Sequence, residues 1–210
     1  MKPHRTPIAG AFRRVLCSLL FVAAIAAITD ALAAVQEQAA FSLVSAVSRL
    51  VHGSAGTFDI DLPLSGEPGV ECRSNNGKYT LVFTFSSDVG DGKADVTSGT
   101  GAVQGRPQFS GTTMTVNLAG VGDVQQIIVT LHNVTSTTFE VLPDTPVSMN
   151  ILVGDTTGDK TVGQFDLSET KHELGMPVTA DNFRNDVKVN GMITATDVRV
   201  VRSDVGHTLP

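Results

Sequence analysis

Two twelve-residue stretches near the end of the chain share one pattern of oxygen-bearing side chains. The first runs from Asp155 to Asp166 and the second, 31 residues further on, from Asp186 to Asp197. Both begin and end with aspartate, have aspartate or asparagine at position 5 and have an apolar residue at position 8. The match continues into the segments that follow each stretch. Both copies are therefore expected to form the same local structure.

The spacing of these side chains is typical of a loop that wraps a calcium ion. Calcium takes roughly six to eight oxygen ligands, which an EF-hand type of loop supplies mainly from positions 1, 3, 5, 7 and 12. In the first loop the predicted ligands are Asp155, Thr157, Asp159, the carbonyl of Thr161, and Asp166. In the second loop they are Asp186, Asn190, Met192 and Asp197. Acidic turns are common on protein surfaces, but two such loops in register favour metal binding.

Lys188, at position 3, makes the second loop unlike the first. An ammonium group about 4 Å from the ion costs roughly 4 kcal/mol at an effective dielectric constant of about 20. Lys188 therefore either turns outward or excludes the metal, and in the second case its ammonium is expected to pair with Asp186 and Asp197. The sequence thus predicts one tight calcium site in the first loop and a weak or empty site in the second.

Each loop is followed by a segment whose apolar spacing predicts a short helix. Val198 to Val205 has apolar residues at i, i+3 and i+7, the stripe of a helix that packs on a partner, and Leu167 to Leu174 has the same spacing with Thr170 at i+3. Between the repeats, Thr179 is predicted to cap a third short helix that reaches Asp186, with Phe183 buried. Helices of this length are not stable alone, so they are expected to pack on one another and around the metal.

At these residues the chain resembles a type I dockerin, a duplicated calcium-binding loop-helix module of secreted bacterial assemblies. The resemblance covers residues 152–210, and the aspartate at position 12 is the dockerin form of the loop. In the first half it is carried by Gly154 to Asp159, Thr161, Val162, Asp166, Leu167 and Lys171. In the second half it is carried by Asp186, Asn190, Gly191, Ile193, Thr194, Asp197 and Val198. The chain departs from the family pattern at Lys160, Gly163 and Lys188.

Dockerins dock onto cohesin domains, so the resemblance implies a cohesin-like protein partner. Dockerins contact that partner through positions 10, 11, 17 and 18 of each repeat. Here these positions hold Gln164, Phe165, Lys171 and His172 in the first half and Ala195, Thr196, Arg202 and Ser203 in the second. An exposed aromatic residue is a favoured anchor, so Phe165 is the expected hot spot. The alternative is that Phe165 packs inward beside Phe183.

Residues 34–152 are predicted to form a β domain, and residues 153–210 the dockerin-like module. Five runs of the first segment alternate apolar and polar residues with the two-residue period of a strand, and turn residues lie between them. The runs are Phe58 to Leu62, Tyr79 to Phe85, Met114 to Leu118, Ile127 to Leu131 and Val147 to Ile151. Their spacing predicts seven or eight short strands in an antiparallel β-sandwich of immunoglobulin-like type. Ile151 lies close to Asp155, so the two domains are expected to abut.

Residues 1–33 have the pattern of a signal peptide. Four basic residues are followed by a nearly unbroken apolar run, Val15 to Ile28, and by a small-residue cleavage motif, Ala31 to Ala33. The run is shorter than the roughly 20 residues that a membrane span needs, and an uncleaved anchor is the alternative. The mature chain is expected to be secreted or held at the cell surface, without membrane insertion after cleavage. Both the general and the twin-arginine export routes remain open.

Charge and composition argue against several classes of function. Removal of residues 1–33 takes away four basic residues and one acidic residue, which moves the net charge from −6 to −9 and disfavours nucleic acid and anionic membranes as partners. The remaining histidines have no catalytic or metal-ligand spacing, so no enzyme activity is expected. Cys72 is the one cysteine left, so no intramolecular disulfide forms. The chain has no tryptophan and one tyrosine, which leaves carbohydrate binding open without favouring it.

Together these observations predict a secreted, non-catalytic, calcium-binding adaptor that docks to a cohesin-like partner. The resemblance links such a protein to extracellular polysaccharide breakdown. The alternative is a structural or adhesive surface protein in which calcium only rigidifies the C-terminus.

Overall fold

Short strands with alternating inward and outward side chains build most of this protein. The computed structural model describes residues 40–210, and the predicted signal peptide, residues 1–33, lies outside the described part. The described residues contain ten strands, more than the seven or eight predicted. They are β1 (Leu43–His52), β2 (Gly56–Asp61), β3 (Val70–Glu71), β4 (Tyr79–Phe85), β5 (Val89–Ser98), β6 (Ala102–Val103), β7 (Gln108–Ser110), β8 (Thr113–Ala119), β9 (Gln125–Ser136) and β10 (Thr145–Ile151).

The strands form two sheets that enclose one core. The first sheet has the order β2-β1-β4-β8-β6, with β7 also paired to β8, and the second has the order β3-β10-β9-β5. Pairing is antiparallel except between β3 and β10, which run parallel. Side chains from both sheets, among them Phe83, Met114, Ile127 and Leu131, are fully buried together. The fold is therefore mainly β, with antiparallel sheets as in a β-sandwich.

The five strands expected from alternation are confirmed, since the five runs fall in β2, β4, β8, β9 and β10. Alternation alone did not reveal β1 or β5. The inward positions of β1 include Ser48 and His52, both completely buried, so its inward face is not uniformly apolar. In β5, shifts of register around Asp91 and Lys93 interrupt the two-residue period.

Two helices follow the two loops, as the apolar spacing predicted. They are α1 (Gln164–His172) and α2 (Ala195–Asp204). Apolar residues of the loops and helices form a second core, which includes Val162, Leu167, Val187 and Val201. The apolar stripe predicted for the first helix is wrong at its C-terminal end. The helix α1 ends at His172, and Leu174 is 49% exposed.

The predicted helix from Thr179 to Asp186 does not form. Asn182 Oδ1 accepts the backbone N–H of Thr179 at 2.7 Å, which closes a side-chain turn where the first helical turn was expected. The helical geometry that remains is one 3-10 turn, Phe183–Asn185. Phe183 is half-buried and stacks on Phe58 of β2, with ring centroids 5.3 Å apart.

The chain passes from the first core to the second at the end of β10. Leu152 and Val153 follow β10 directly and belong to the second core. The N–H of Leu152 donates to the carbonyl of Glu71 at 3.1 Å, and the N–H of Gly154 donates to that of Cys72 at 2.9 Å. Residues 41–210 form one compact unit, so the two parts abut, as the absence of a linker predicted. The division into two domains at residue 152 stays a prediction.

None of the helices within residues 40–210 has the length and apolar character that a membrane crossing requires.

Cys72 provides a chemical test of the junction. Its side chain is fully buried, its Sγ donates to the carbonyl of Arg184 at 3.7 Å, and burial raises the pKa of the thiol to about 11. We expect iodoacetamide at about pH 8 to leave Cys72 unmodified in the folded protein and to label it after unfolding in urea, because reaction requires an accessible thiolate. Mass spectrometry of a Cys17→Ser chain measures this one thiol. Equal labelling rates with and without urea would contradict the buried junction.

Candidate metal centre

The two loops have the same hydrogen bonds at position 1. The carboxylate of Asp155 accepts the N–H groups of positions 5 and 6, Asp159 at 3.1 Å and Lys160 at 2.8 Å. The carboxylate of Asp186 accepts the equivalent groups of Asn190 at 3.0 Å and Gly191 at 2.8 Å. Each position-1 carboxylate therefore holds the middle of its own loop, and the repeat seen in the sequence is also a repeat of backbone structure.

Position 12 closes each loop in the same way. Asp166 accepts the N–H of Thr157, at position 3, at 2.9 Å and the N–H of Gly163, at position 9, at 2.7 Å. In the second loop, Asp197 accepts the N–H groups of Lys188 at 2.9 Å and Thr194 at 2.8 Å. Because position 9 precedes the helix, the same carboxylate also caps the first turn of α1 or α2.

The backbone turns left-handed at positions 4 and 6 of both loops. These residues are Gly158 (φ 78°) and Lys160 (φ 70°) in the first loop, and Val189 (φ 50°) and Gly191 (φ 93°) in the second. Lys160 thus keeps the conformation for which the family uses glycine. A positive φ is strained for Lys and more so for the β-branched Val, so other contacts must hold Val189 in place.

Position 8 of each loop joins the segment after the other helix. Val162 donates its N–H to His207 at 2.9 Å, and Ile193 donates to Met176 at 3.4 Å. Both position-8 side chains are completely buried. The loops and helices therefore form one pseudo-symmetric pair, which neither half builds alone.

In the first loop, two buried carboxylates have no basic side chain as a partner. Asp155 is 0% exposed and Asp166 is 1% exposed, and neither takes part in an ion pair of residues 40–210. Burial raises the pKa of the Asp155 carboxyl despite its backbone hydrogen bonds, and the charge of Asp166 adds to the effect. Buried charges of this kind call for a counter-charge.

The first loop offers oxygen atoms, the kind of ligand that a hard cation prefers. Thr157, Asp159 and Thr161 are exposed around the two buried carboxylates, and all five residues offer oxygen atoms. The hydroxyl of Thr157 already lies 3.3 Å from the carboxylate of Asp155. Within residues 40–210, no three His, Cys, Asp or Glu side chains come together as a metal cluster, so the predicted ligands Asp155, Asp159 and Asp166 are not gathered into one.

The second loop is less suited to a cation than the first loop. Asp186 is 0% exposed, and its Oδ2 lies 2.9 Å from Nδ1 of the equally buried His52 of β1. The expected pairing of the Lys188 ammonium with Asp186 and Asp197 is not among the ion pairs of the described residues. Lys188 contributes its backbone N–H to Asp197 instead. Asn190 and Met192 are exposed at positions 5 and 7.

Of the eight residues predicted to contact a partner, seven are exposed and Thr196 is half-buried. The exposed residues are Gln164, Phe165, Lys171, His172, Ala195, Arg202 and Ser203. Phe165 is 83% exposed and stands between two shallow depressions on α1, one bordered by His172 and the other by Lys171. The alternative that Phe165 packs beside Phe183 is wrong, since Phe183 packs against Phe58.

One cleft lies on the β-sheets, away from the loops. It has a volume of about 690 Å³, runs along β5 and is lined by Asp91, Lys93, Asp95, Arg106 and Phe109, among others. No tyrosine lines it, and the chain has no tryptophan. It therefore lacks the tryptophan and tyrosine faces that sugar-binding sandwiches usually use, and we assign it no ligand.

Three buried residues next to the second loop were not predicted from the sequence. They are His52, Glu71 and Arg73, and each is 0% exposed. The position of His52 in the sequence indicates that it is buried, because it lies on the same side of β1 as Ala46 and Leu50. A histidine at the inward end of a strand needs a buried polar partner, but the sequence does not say which one.

No protein-family model matches the chain, and no curated protein or solved structure matches it significantly.

Replacing Asp166 tests whether the loop carboxylates hold the loops without any metal. In Asp166→Ala the N–H groups of Thr157 and Gly163 lose their acceptor, so we expect a loss of about 2–4 kcal/mol in unfolding free energy. Urea unfolding in a calcium chelator measures this value. Ser168→Ala, at an exposed position of the same helix, is the control and should change stability by less than about 0.5 kcal/mol. An equally small change in Asp166→Ala would show that the loop is held by other contacts.

Proposed function

We propose that this protein is a secreted, non-catalytic, calcium-binding adaptor. In this proposal a β-sandwich of immunoglobulin-like architecture carries a C-terminal dockerin-like module that docks to a cohesin-like partner, in a system of extracellular polysaccharide breakdown. The observation that supports it best is the shared backbone pattern of the two loops. In both, the carboxylates at positions 1 and 12 accept N–H groups from positions 5, 6, 3 and 9.

The first loop is the proposed calcium site. Its ligands would be Asp155, Thr157, Asp159, the carbonyl of Thr161, and Asp166. Bound calcium would supply positive charge to a loop whose two buried carboxylates have no basic partner. The backbone bonds to Asp155 and Asp166 fix these two carboxylates before any ion arrives, so little conformational entropy is lost when it binds.

The proposed docking surface is the exposed side of α1 around Phe165. A rigid aromatic residue that projects between two depressions is a suitable anchor for a protein partner. Lys171 and His172 lie one helical turn or more further along α1 and are exposed as well. The corresponding residues of α2 include no aromatic side chain, so we propose that docking favours the first half.

The second candidate is a structural or adhesive surface protein in which calcium rigidifies the C-terminus. The backbone hydrogen bonds from Leu152 to Glu71 and from Gly154 to Cys72 support it, because they join the two parts without a linker. Binding to a cohesin domain distinguishes the two candidates.

Calcium binding can be measured by titration calorimetry on residues 34–210. We expect one tight ion, and calcium at a hundred times its Kd should add about 2.7 kcal/mol to the unfolding free energy. Asp155→Ala should abolish the tight site, whereas Asp181→Ala, at an exposed carboxylate outside both loops, should leave it intact. Absence of calcium binding in the unaltered chain would contradict the proposal.

Docking can be measured with an immobilised type I cohesin domain, in calcium and in chelator. We expect Phe165→Ala to weaken binding at least about tenfold and to leave stability within about 0.5 kcal/mol, because this side chain is 83% exposed. Phe139→Ala is the matched control, since Phe139 is 88% exposed on the β9–β10 turn. A folded Phe165→Ala protein that binds as well as the control would exclude this surface, and chelator should abolish binding of both proteins.

A further inference from the structure

We propose that the second loop is a metal-free joint, in which His52 of the β-sandwich takes the place on Asp186 that a cation would take. The joint fixes the loop-helix module to the sandwich. It restricts the protein to one bound ion. That count of ions rests on the proposed function, but the joint itself does not.

A continuous chain of buried polar side chains connects the sandwich to the loop. Arg73 donates from Nε and Nη2 to the carboxylate of Glu71, at 2.8 Å in both bonds. Nη1 of Arg73 lies 3.1 Å from Nε2 of His52, and Nδ1 of His52 lies 2.9 Å from Oδ2 of Asp186. Ser48 completes the chain by donating its hydroxyl to Glu71 at 2.5 Å. All five side chains are 0% exposed.

These contacts fix the tautomer of His52. A guanidinium group can only donate hydrogen bonds, so Nε2 of His52 must accept from Arg73. The ring proton is then on Nδ1, which donates to Asp186. The charges of Glu71 and Arg73 compensate each other, and His52 brings a directed N–H to Asp186 without a charge of its own.

The carboxylate of Asp186 accepts one of its hydrogen bonds from outside its own loop. Its Oδ1 accepts the N–H of Asn190, and its Oδ2 accepts those of Gly191 and His52. In the first loop the donors to the carboxylate of Asp155 all come from the loop itself: Thr157, Gly158, Asp159 and Lys160. A donor from the sandwich thus distinguishes the second loop from the first.

Backbone contacts join the same surfaces. Gly53 donates its N–H to the carbonyl of Val189 at 3.2 Å, and Ser74 donates to the carbonyl of Val187 at 2.7 Å. The side chain of Val189 packs against the core of the sandwich, which accounts for its tolerated positive φ. A Cβ on Gly53 would lie 2.3 Å from the carbonyl oxygen of Asn190. The two segments of backbone therefore approach more closely than any residue except glycine allows at position 53.

The test compares two substitutions of His52 by thermal unfolding in calcium and in chelator. His52→Phe removes the donor but keeps a ring between Phe58 and Phe183, whose centroids lie 5.1 and 6.1 Å from that of His52. We expect its Tm to fall by about 5 °C or more, equally in calcium and in chelator. His52→Asn keeps an N–H donor near Nδ1 and should recover at least half of that loss.

The control is a second His–Asp pair at the surface. His132 Nδ1 lies 2.8 Å from Asp144 Oδ2 on exposed parts of β9 and the following turn. His132→Phe should shift Tm by less than about 2 °C. A His52→Phe loss that disappears in calcium, or an Asn variant no better than the Phe variant, would overturn the proposal.

Calcium stoichiometry gives a second test that does not depend on the folding of His52→Phe. Lys188→Asn restores a side-chain oxygen at position 3 but leaves His52 on Asp186, so it should still bind one ion. A rise to two ions would show that Lys188 alone excludes the metal and would overturn the role of His52. If the unaltered chain binds no calcium but His52→Phe still lowers Tm, the proposed function fails and the joint stands.

Discussion

The carboxylates at the two ends of each loop hold the C-terminal part of this protein together. Asp155 and Asp186 accept the N–H groups in the middle of their loops, while Asp166 and Asp197 close the loops and cap the helices. These are charge-assisted bonds in buried surroundings, where losing the acceptor leaves several donors without a partner. The position of Val162, and with it the second core, follows from this framework.

The two loops share these hydrogen bonds but lie in different surroundings. The first loop faces solvent, with exposed oxygen donors around two buried carboxylates. The second loop faces the sandwich, where His52, Gly53 and Ser74 supply the donors. We propose that the two copies of the repeat have different roles. The first copy binds calcium, and the second anchors the module to the sandwich.

Much of this structure could be predicted from the sequence, and there are physical reasons why the rest could not. Strands with a uniformly apolar inward face, such as β4 and β8, were predicted, and the repeat predicted the loop backbone in both halves. The contact of His52 with Asp186 was not predicted because the two residues are 134 positions apart and only the packing of the sandwich brings them together. The prediction of a third helix was wrong because the backbone leaves helical geometry at Asn182 (φ −126°, ψ 5°), and only the 3-10 turn Phe183–Asn185 forms.

The most direct test of this account is a crystal structure of residues 34–210 grown in calcium, with terbium exchanged in to locate the ion by anomalous scattering. The account predicts one peak, about 2.3–2.6 Å from oxygen atoms of Asp155, Asp159 and Asp166. It also predicts that His52 still donates to Asp186, with no peak in the second loop. Peaks of equal height in both loops, or no peak in the first, would contradict it.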